Sequence, residues 1–297
     1  MRDYSHVVRE SIGVWIAHYR LDVPRVGKRS DQASDCRSDI TIAPWQDVKK
    51  KDIQPHRIRY WLNAKPDERK EERIVEICEV YQNACTTPGE LVLSVDEATG
   101  IQALERIADD LPIGPGKPRA REFEYTRHGT QTLIAGINVA TGKVQGICGE
   151  TRTEEDFARF ISGMIEQNRG YNTYHFVCDQ LNTHKSESLV RFVADYCRVE
   201  IDLGVKGKSG VLKSMQTRER FLNDKSRSIV FHYTPRHASW MNQIEIWFGI
   251  LMRKVVRRGN FCSQDDLKEK IQAFIKYFNE TMAKPFKWTY EGKVLSA

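Results

Sequence analysis

The sequence predicts an α/β fold in which a mixed sheet is covered by helices. Three observations predict it. Two short apolar runs, Leu91 to Val95 and Tyr174 to Cys178, each stop at an aspartate and read as buried strands ending at the rim of a core. Between them, Thr130 to Val139 and Val144 to Cys148 flank Ala140-Thr141-Gly142-Lys143 and read as a hairpin. Around and beyond the second apolar run, helical periods alternate with strand runs, as crossover connections require.

Residues 1 to about 50 show little pattern. Ser11 to Tyr19 fits a short apolar helix, and the charged stretch from Asp22 to Ser38 reads as loop. From Asp52 to Leu62 the chain interleaves His56, Arg57 and Arg59 with Tyr60 and Trp61. That mixture grips phosphates while packing on sugars or bases; it equally suits a basic surface turn anchored by an aromatic. Asp67 to Tyr81 is a predicted helix with Ile74, Ile77, Cys78 and Tyr81 on one face. Thr87-Pro88-Gly89 breaks the chain before the first carboxylate strand.

Arg106 to Pro118 carries too many Gly and Pro residues for a regular element. Glu154 to Gln167 is an amphipathic helix behind the N-cap Thr153. After the second carboxylate strand comes a helix over Lys185 to Cys197. The polar stretch Lys206 to Asp224 reads as an insertion or loop, and Ser228 to Tyr233 as a strand. A long helix is expected from Ala238 to Arg257, with Trp240, Ile244, Trp247, Phe248, Leu251 and Val255 as its apolar stripe. The last helix spans Gln264 to Thr281. Antiparallel strands first and helix-crossed strands afterwards is the ribonuclease H-like order, in which the first and fourth strands lie side by side. Asp96 and Asp179 then meet.

A lone aspartate after a strand is most often a turn or cap, and Asp179 has that option. Glu245 has less freedom, because it lies at the edge of its helix's apolar stripe, where a carboxylate without a cation is costly. Two strand-end aspartates and a helical glutamate suit two-metal phosphoryl transfer, with ions about 3.5–4 Å apart held by carboxylate oxygens on rigid elements.

Composition is that of an ordinary globular chain, 40% apolar and 29% charged, and the net charge of +6 is compatible with a nucleic-acid partner. Seven cysteines include no CxxC pair and no zinc-like Cys/His spacing, so we expect a reducing compartment, with Cys148 and Cys178 as core residues. No apolar stretch reaches membrane-spanning length, and the N-terminus is charged from Arg2. A cytoplasmic protein, with no membrane partner, is expected.

Three blocks carry a resemblance: Leu93-Ser94-Val95-Asp96-Glu97, Val177 to Lys185 and Tyr233 to Glu245. Together with Pro55 to Leu62 and Pro285 to Tyr290 they resemble the bacterial insertion-sequence transposases related to mariner, of the DDE class with a ribonuclease H-like core. The resemblance implies that Asp96, Asp179 and Glu245 hold two Mg²⁺ or Mn²⁺ ions. It implies cleavage of double-stranded DNA at terminal inverted repeats, strand transfer into target DNA, commonly at TA, and a homodimer in the DNA complex at the bacterial nucleoid.

Glu97, Asn182, His184, His237 and Asn242 match motif positions and either orient substrate and metal ligands or make local caps. Arg253, Lys254, Arg257 and Arg258 follow Glu245 and either meet DNA phosphates or sit as cations at a helix C-terminus. Asp179 and Glu245 are 66 positions apart (245 − 179), longer than is typical of mariner relatives. Family members carry N-terminal helix-turn-helix units. Residues 1–62 are expected to be an incomplete remnant of one, residues 63–88 a linker helix and residues 89–297 the catalytic domain. Two other readings stand beside the transposase: a nuclease without strand transfer, and a catalytically silent DNA-binding remnant.

Overall fold

Helix α1 (Lys70–Asn83) leads into five strands: β1 (Glu90–Arg106), β2 (Tyr125–Asn138), β3 (Val144–Gly149), β4 (Thr173–Cys178) and β5 (Ile229–Tyr233). A computed structural model describes residues 69–290; the expectations for residues 1–62, including His56, Arg57 and Arg59, lie outside the described residues. The strands form one sheet in the order β3-β2-β1-β4-β5. β1, β2 and β3 are antiparallel, whereas β4 is parallel to β1 and β5 parallel to β4. This is the ribonuclease H-like arrangement expected from the sequence.

Helices cover both faces. On one lie α2 (Glu154–Gln167), α3 (Glu187–Tyr196) and α4 (Met215–Leu222), packing Phe157, Ile161, Val190, Phe221 and Leu222 on Leu93, Val95 and Phe176. On the other, α5 (Gln243–Leu251) and α6 (Gln264–Thr281) pack Trp247, Leu251, Leu267 and Ile271 on Leu133, Ala135 and Ile137. α1 shares that second face, with Ile74, Ile77, Cys78 and Tyr81 against Val92 and Val177. Cys178 is buried in the first core, while Cys148 lies half-buried against the second. No helix among the described residues is long and apolar enough to cross a membrane.

Local signals explain the boundaries. Thr153 caps α2 in a reciprocal capping box with Asp156, and Ser186 caps α3 through the Leu189 amide. Asn138 closes the β2–β3 turn by accepting from the amides of Ala140 and Thr141, and Gly142 supplies the positive φ of 72°.

Three expectations need correction. The apolar run of β1 stops at Asp96, yet the strand continues to Arg106, because antiparallel pairing with β2 carries on past the end of the parallel pairing with β4. Lys206 to Asp224 is not a plain loop: it contains α4, capped by Ser214, whose Arg218, Phe221 and Leu222 are buried. The helix expected over Ala238 to Arg257 divides into a 3-10 turn (Ser239–Met241), α5 and a π-helical turn (Met252–Val256). Trp240 therefore precedes α5 and is exposed rather than part of its buried stripe.

Candidate active site

Register brings the two aspartates together. In the parallel β1–β4 pair, Ser94 stands opposite Val177. Asp96 and Asp179 each lie two residues further on, so strand alternation places both on the same face and side by side. α5 is tied to this point by Asn242, the residue before its first turn. Its amide Nδ2 donates to Asp96 Oδ2 (3.0 Å) and to the Val95 carbonyl (3.0 Å), and its Oδ1 accepts from the Ser94 hydroxyl. Ser94 Oγ in turn accepts from the Ile244 amide (3.0 Å). These fully buried bonds fix the helix that carries Glu245 against the strand that carries Asp96.

The charges are unbalanced. Burial, then repulsion from Asp179, raises the Asp96 carboxyl to about 7, although His184 pulls the other way. Glu245 reaches solvent, but partial desolvation and the charge of Asp179 raise its pKa too. Asp179 thus acts electrostatically on both other carboxylates. Burial would raise Asp179 as well; hydrogen bonds from His184 and the Leu181 amide (2.8 Å) overcome this and lower it.

Glu97 follows Asp96 directly and so points to the opposite side of β1, where His184 is buried. The His184 ring donates through Nε2 to Glu97 Oε2 (2.9 Å) and through Nδ1 to Asp179 Oδ1 (2.7 Å). Thr183 adds a long bond to Glu97 Oε1 (3.5 Å), and Phe157 packs on the imidazole at 4.3 Å between centroids. Burial opposes a charge on His184, but bonds to Asp179, Cys178 and Glu97 raise its pKa well above the ordinary value.

Oxygens of Asp96 and Glu97 and a nitrogen of His184 lie within 4.8 Å of one another, the one such grouping among the described residues. Within it each ring nitrogen of His184 is already engaged by a carboxylate oxygen, Glu97 Oε2 at 2.9 Å and Asp179 Oδ1 at 2.7 Å. The fit for a hard cation lies with Asp96, Asp179 and Glu245. They offer only oxygen donors, and burial together with repulsion from Asp179 raises the pKa of Asp96 and Glu245.

Other expected residues fall around this centre. Asn182 is exposed and starts a 3-10 turn. His237 is exposed in the turn between β5 and α5 and lines a cleft with Asp179. Arg253, Lys254, Arg257 and Arg258 are all exposed around the π-helical turn, and none pairs with a carboxylate among the described residues. Sequence reasoning missed Ser94 and Thr183. A hydroxyl inside the apolar run Leu91 to Val95 was the available signal for Ser94; Thr183 offered none. A cavity of about 570 Å³ lies between α2, β3 and α6 and is lined by none of these carboxylates.

Comparison with solved structures gives matches to the catalytic domain of Mos1 mariner transposase, at 10% identity and a TM-score of 0.42 over 73% of this chain and 85% of that one. The Mos1 transposase paired-end complex with left transposon end matches at 12% identity and a TM-score of 0.33 over 94% of this chain and 86% of that one. The mariner Mos1 paired end complex with Mg matches at 12% and 0.32 over 92% and 87%. No curated protein matches. The profile of the DDE superfamily endonucleases matches residues 92–268, more than half of the chain and a span that contains Asp96, Asp179 and Glu245. The chain belongs to the DDE superfamily endonuclease family.

Proposed function

We propose that this endonuclease is a DNA transposase in which Asp96, Asp179 and Glu245 hold two Mg²⁺ or Mn²⁺ ions. The observation that carries the reading is the juxtaposition of Asp96 and Asp179 across the parallel β1–β4 register, with the helix of Glu245 pinned to the same strand by Asn242. Bound divalent ions supply the charge that activates a water or a 3′-hydroxyl and that stabilises the leaving oxygen of a phosphodiester. The protein's own contribution is orientation. Asn242 and the Glu97 amide (2.8 Å) each engage one oxygen of Asp96. His184 and the Leu181 amide hold Asp179 through Oδ1.

The substrate of this reading is double-stranded DNA at terminal inverted repeats, joined into target DNA at TA by a homodimer at the nucleoid. The cations Arg253, Lys254, Arg257 and Arg258 meet its phosphates. The test is strand transfer from pre-cleaved ends with Mg²⁺ or Mn²⁺. Joined products are expected; products that are only cut would make the protein a nuclease without transfer. Asp96→Asn should abolish both reactions while leaving the melting temperature within a few degrees of wild type. An active Asp96→Asn variant would remove the assignment, and an inactive wild-type protein that still binds DNA would mark a silent remnant.

A further inference from the structure

The turn that joins β5 to α5 carries two side chains that the carboxylate site does not use. Thr234 continues the β4–β5 pairing through its amide to the Cys178 carbonyl (2.9 Å), and Gln180 Nε2 donates to the Thr234 carbonyl (2.8 Å). The chain then reverses at Pro235 to Ala238, closed by the Ala238 amide donating to the Pro235 carbonyl (3.2 Å). Arg236 and His237 occupy the two central positions and are exposed. They line a cleft of about 380 Å³ together with Asp179, Leu181, Pro235 and Ser239.

Two observations need a reason. Arg236 borders the same cleft as Asp179, yet its guanidinium forms no ion pair with any carboxylate among the described residues. One oxygen of Asp179 is already held by His184 and the Leu181 amide. In addition, His237 sits at φ 60°, in the left-handed region where glycine is the favoured occupant of such a turn. A side chain kept at conformational cost beside a reactive centre points from the outlier to a role.

We infer that Arg236 and His237 form a phosphate subsite that grips the DNA backbone beside the scissile phosphodiester, separate from the metal-holding carboxylates. The inference rests on the proposed function. The planar guanidinium matches a phosphodiester in two parallel hydrogen bonds. The imidazole donates one more through whichever ring nitrogen carries its proton. Because the turn is anchored to β4 by Thr234 and Gln180, the subsite is fixed relative to Asp179.

The experiment uses the full chain and a fluorescein-labelled mixed-sequence DNA duplex, with binding followed by anisotropy in Ca²⁺ over a series of salt concentrations. Arg236→Ala should weaken binding roughly fivefold and reduce the salt slope by about one, while Arg236→Lys restores the slope. His237→Gly suits the backbone, so its melting temperature should equal or exceed that of wild type while its affinity falls. Wild-type affinity in both Arg236→Ala and His237→Gly, or weaker binding with an unchanged salt slope, would overturn the subsite. Nicking of supercoiled plasmid in Mn²⁺ is run alongside with Asp96→Asn. If that variant nicks as wild type does, the proposed function fails, independently of the Arg236 result.

Discussion

At the scale of single residues, the site is held by bonds between groups that contribute little on their own. Asn242 satisfies Asp96 Oδ2, the Val95 carbonyl and the Ser94 hydroxyl at once, in a place without exposure to solvent. Asn242→Ala removes a buried hydrogen-bond partner from each of these groups, and the expected loss is about 2–3 kcal/mol of stability with slowed turnover, read from urea midpoints and a nicking assay. A midpoint equal to wild type would show that the clamp is not what fixes α5. His184 is the more demanding residue because its ring lies between Glu97 and Asp179. His184→Ala strands the buried Glu97 carboxylate, which costs about 3–5 kcal/mol. Glu97→Gln keeps an acceptor for His184 Nε2, so it should retain most of the affinity for Mn²⁺ measured by calorimetry. Loss of Mn²⁺ binding in Glu97→Gln would instead make Glu97 a ligand.

At the scale of elements, the positions of the helices on the sheet decide whether Glu245 reaches the aspartates. Trp247 has no exposed surface and anchors α5 among Phe248, Phe274 and Phe278. Trp247→Ala should cost about 3–5 kcal/mol and take activity with it. On the opposite face, α2 approaches β2 where Gly136 has no side chain. A Cβ there would stand 2.6 Å from Met164 Sδ and 2.8 Å from Val95 Cγ1. Gly136→Ala should therefore force α2 outward and destabilise by about 1–3 kcal/mol, measured as a lowered melting temperature. An unchanged melting temperature would mean that Met164 repacks freely.

At the scale of the whole molecule, charge distribution sets how the protein responds to pH and salt. His175 on β4 lies 3.0 Å from His232 on β5, which lies 3.0 Å from Glu76 on α1; Lys225 and Glu90 flank the chain at 3.3 and 3.4 Å. Burial, then His232 and Lys225, lower His175 from 6.5 to about 4, with Glu76 acting against them. Burial works against Glu76, but His232 and Lys225 lower it from 4.5 to about 2.

In both cases the unfolded chain takes up its proton first as pH falls. Stability due to His175 is therefore full above pH 6.5 and lost towards pH 4, and that due to Glu76 is full above 4.5 and lost towards 2. Between pH 7 and 5 the contribution of His175 should fall by about 1–2 kcal/mol, and His175→Gln should flatten that limb of a urea titration. Equal slopes in the two proteins would remove His175 as the cause. Arg257 and Arg258 are exposed without carboxylate partners among the described residues, so the double Ala variant should reduce the salt slope of DNA binding by roughly two.

What the sequence determined by itself was local or periodic. Apolar runs ending at Asp96 and Asp179, the hairpin at Gly142 and the stripes of α2 and α6 all follow from residues within a few positions of each other. The order of those elements was enough to place β1 beside β4 and so to pair the aspartates. Only the tertiary structure decided what lies across long separations. Glu97 adjoins Asp96 in sequence, but strand alternation turns it to the far face, where His184 from another element meets it. Trp240 fits a helical stripe by spacing, yet the chain must first turn at Arg236 and His237 and then bind Ser94 through Asn242, so the helix starts later. Period and propensity act along the chain, whereas the partners of a buried imidazole or an exposed guanidinium are set by groups that folding alone brings near.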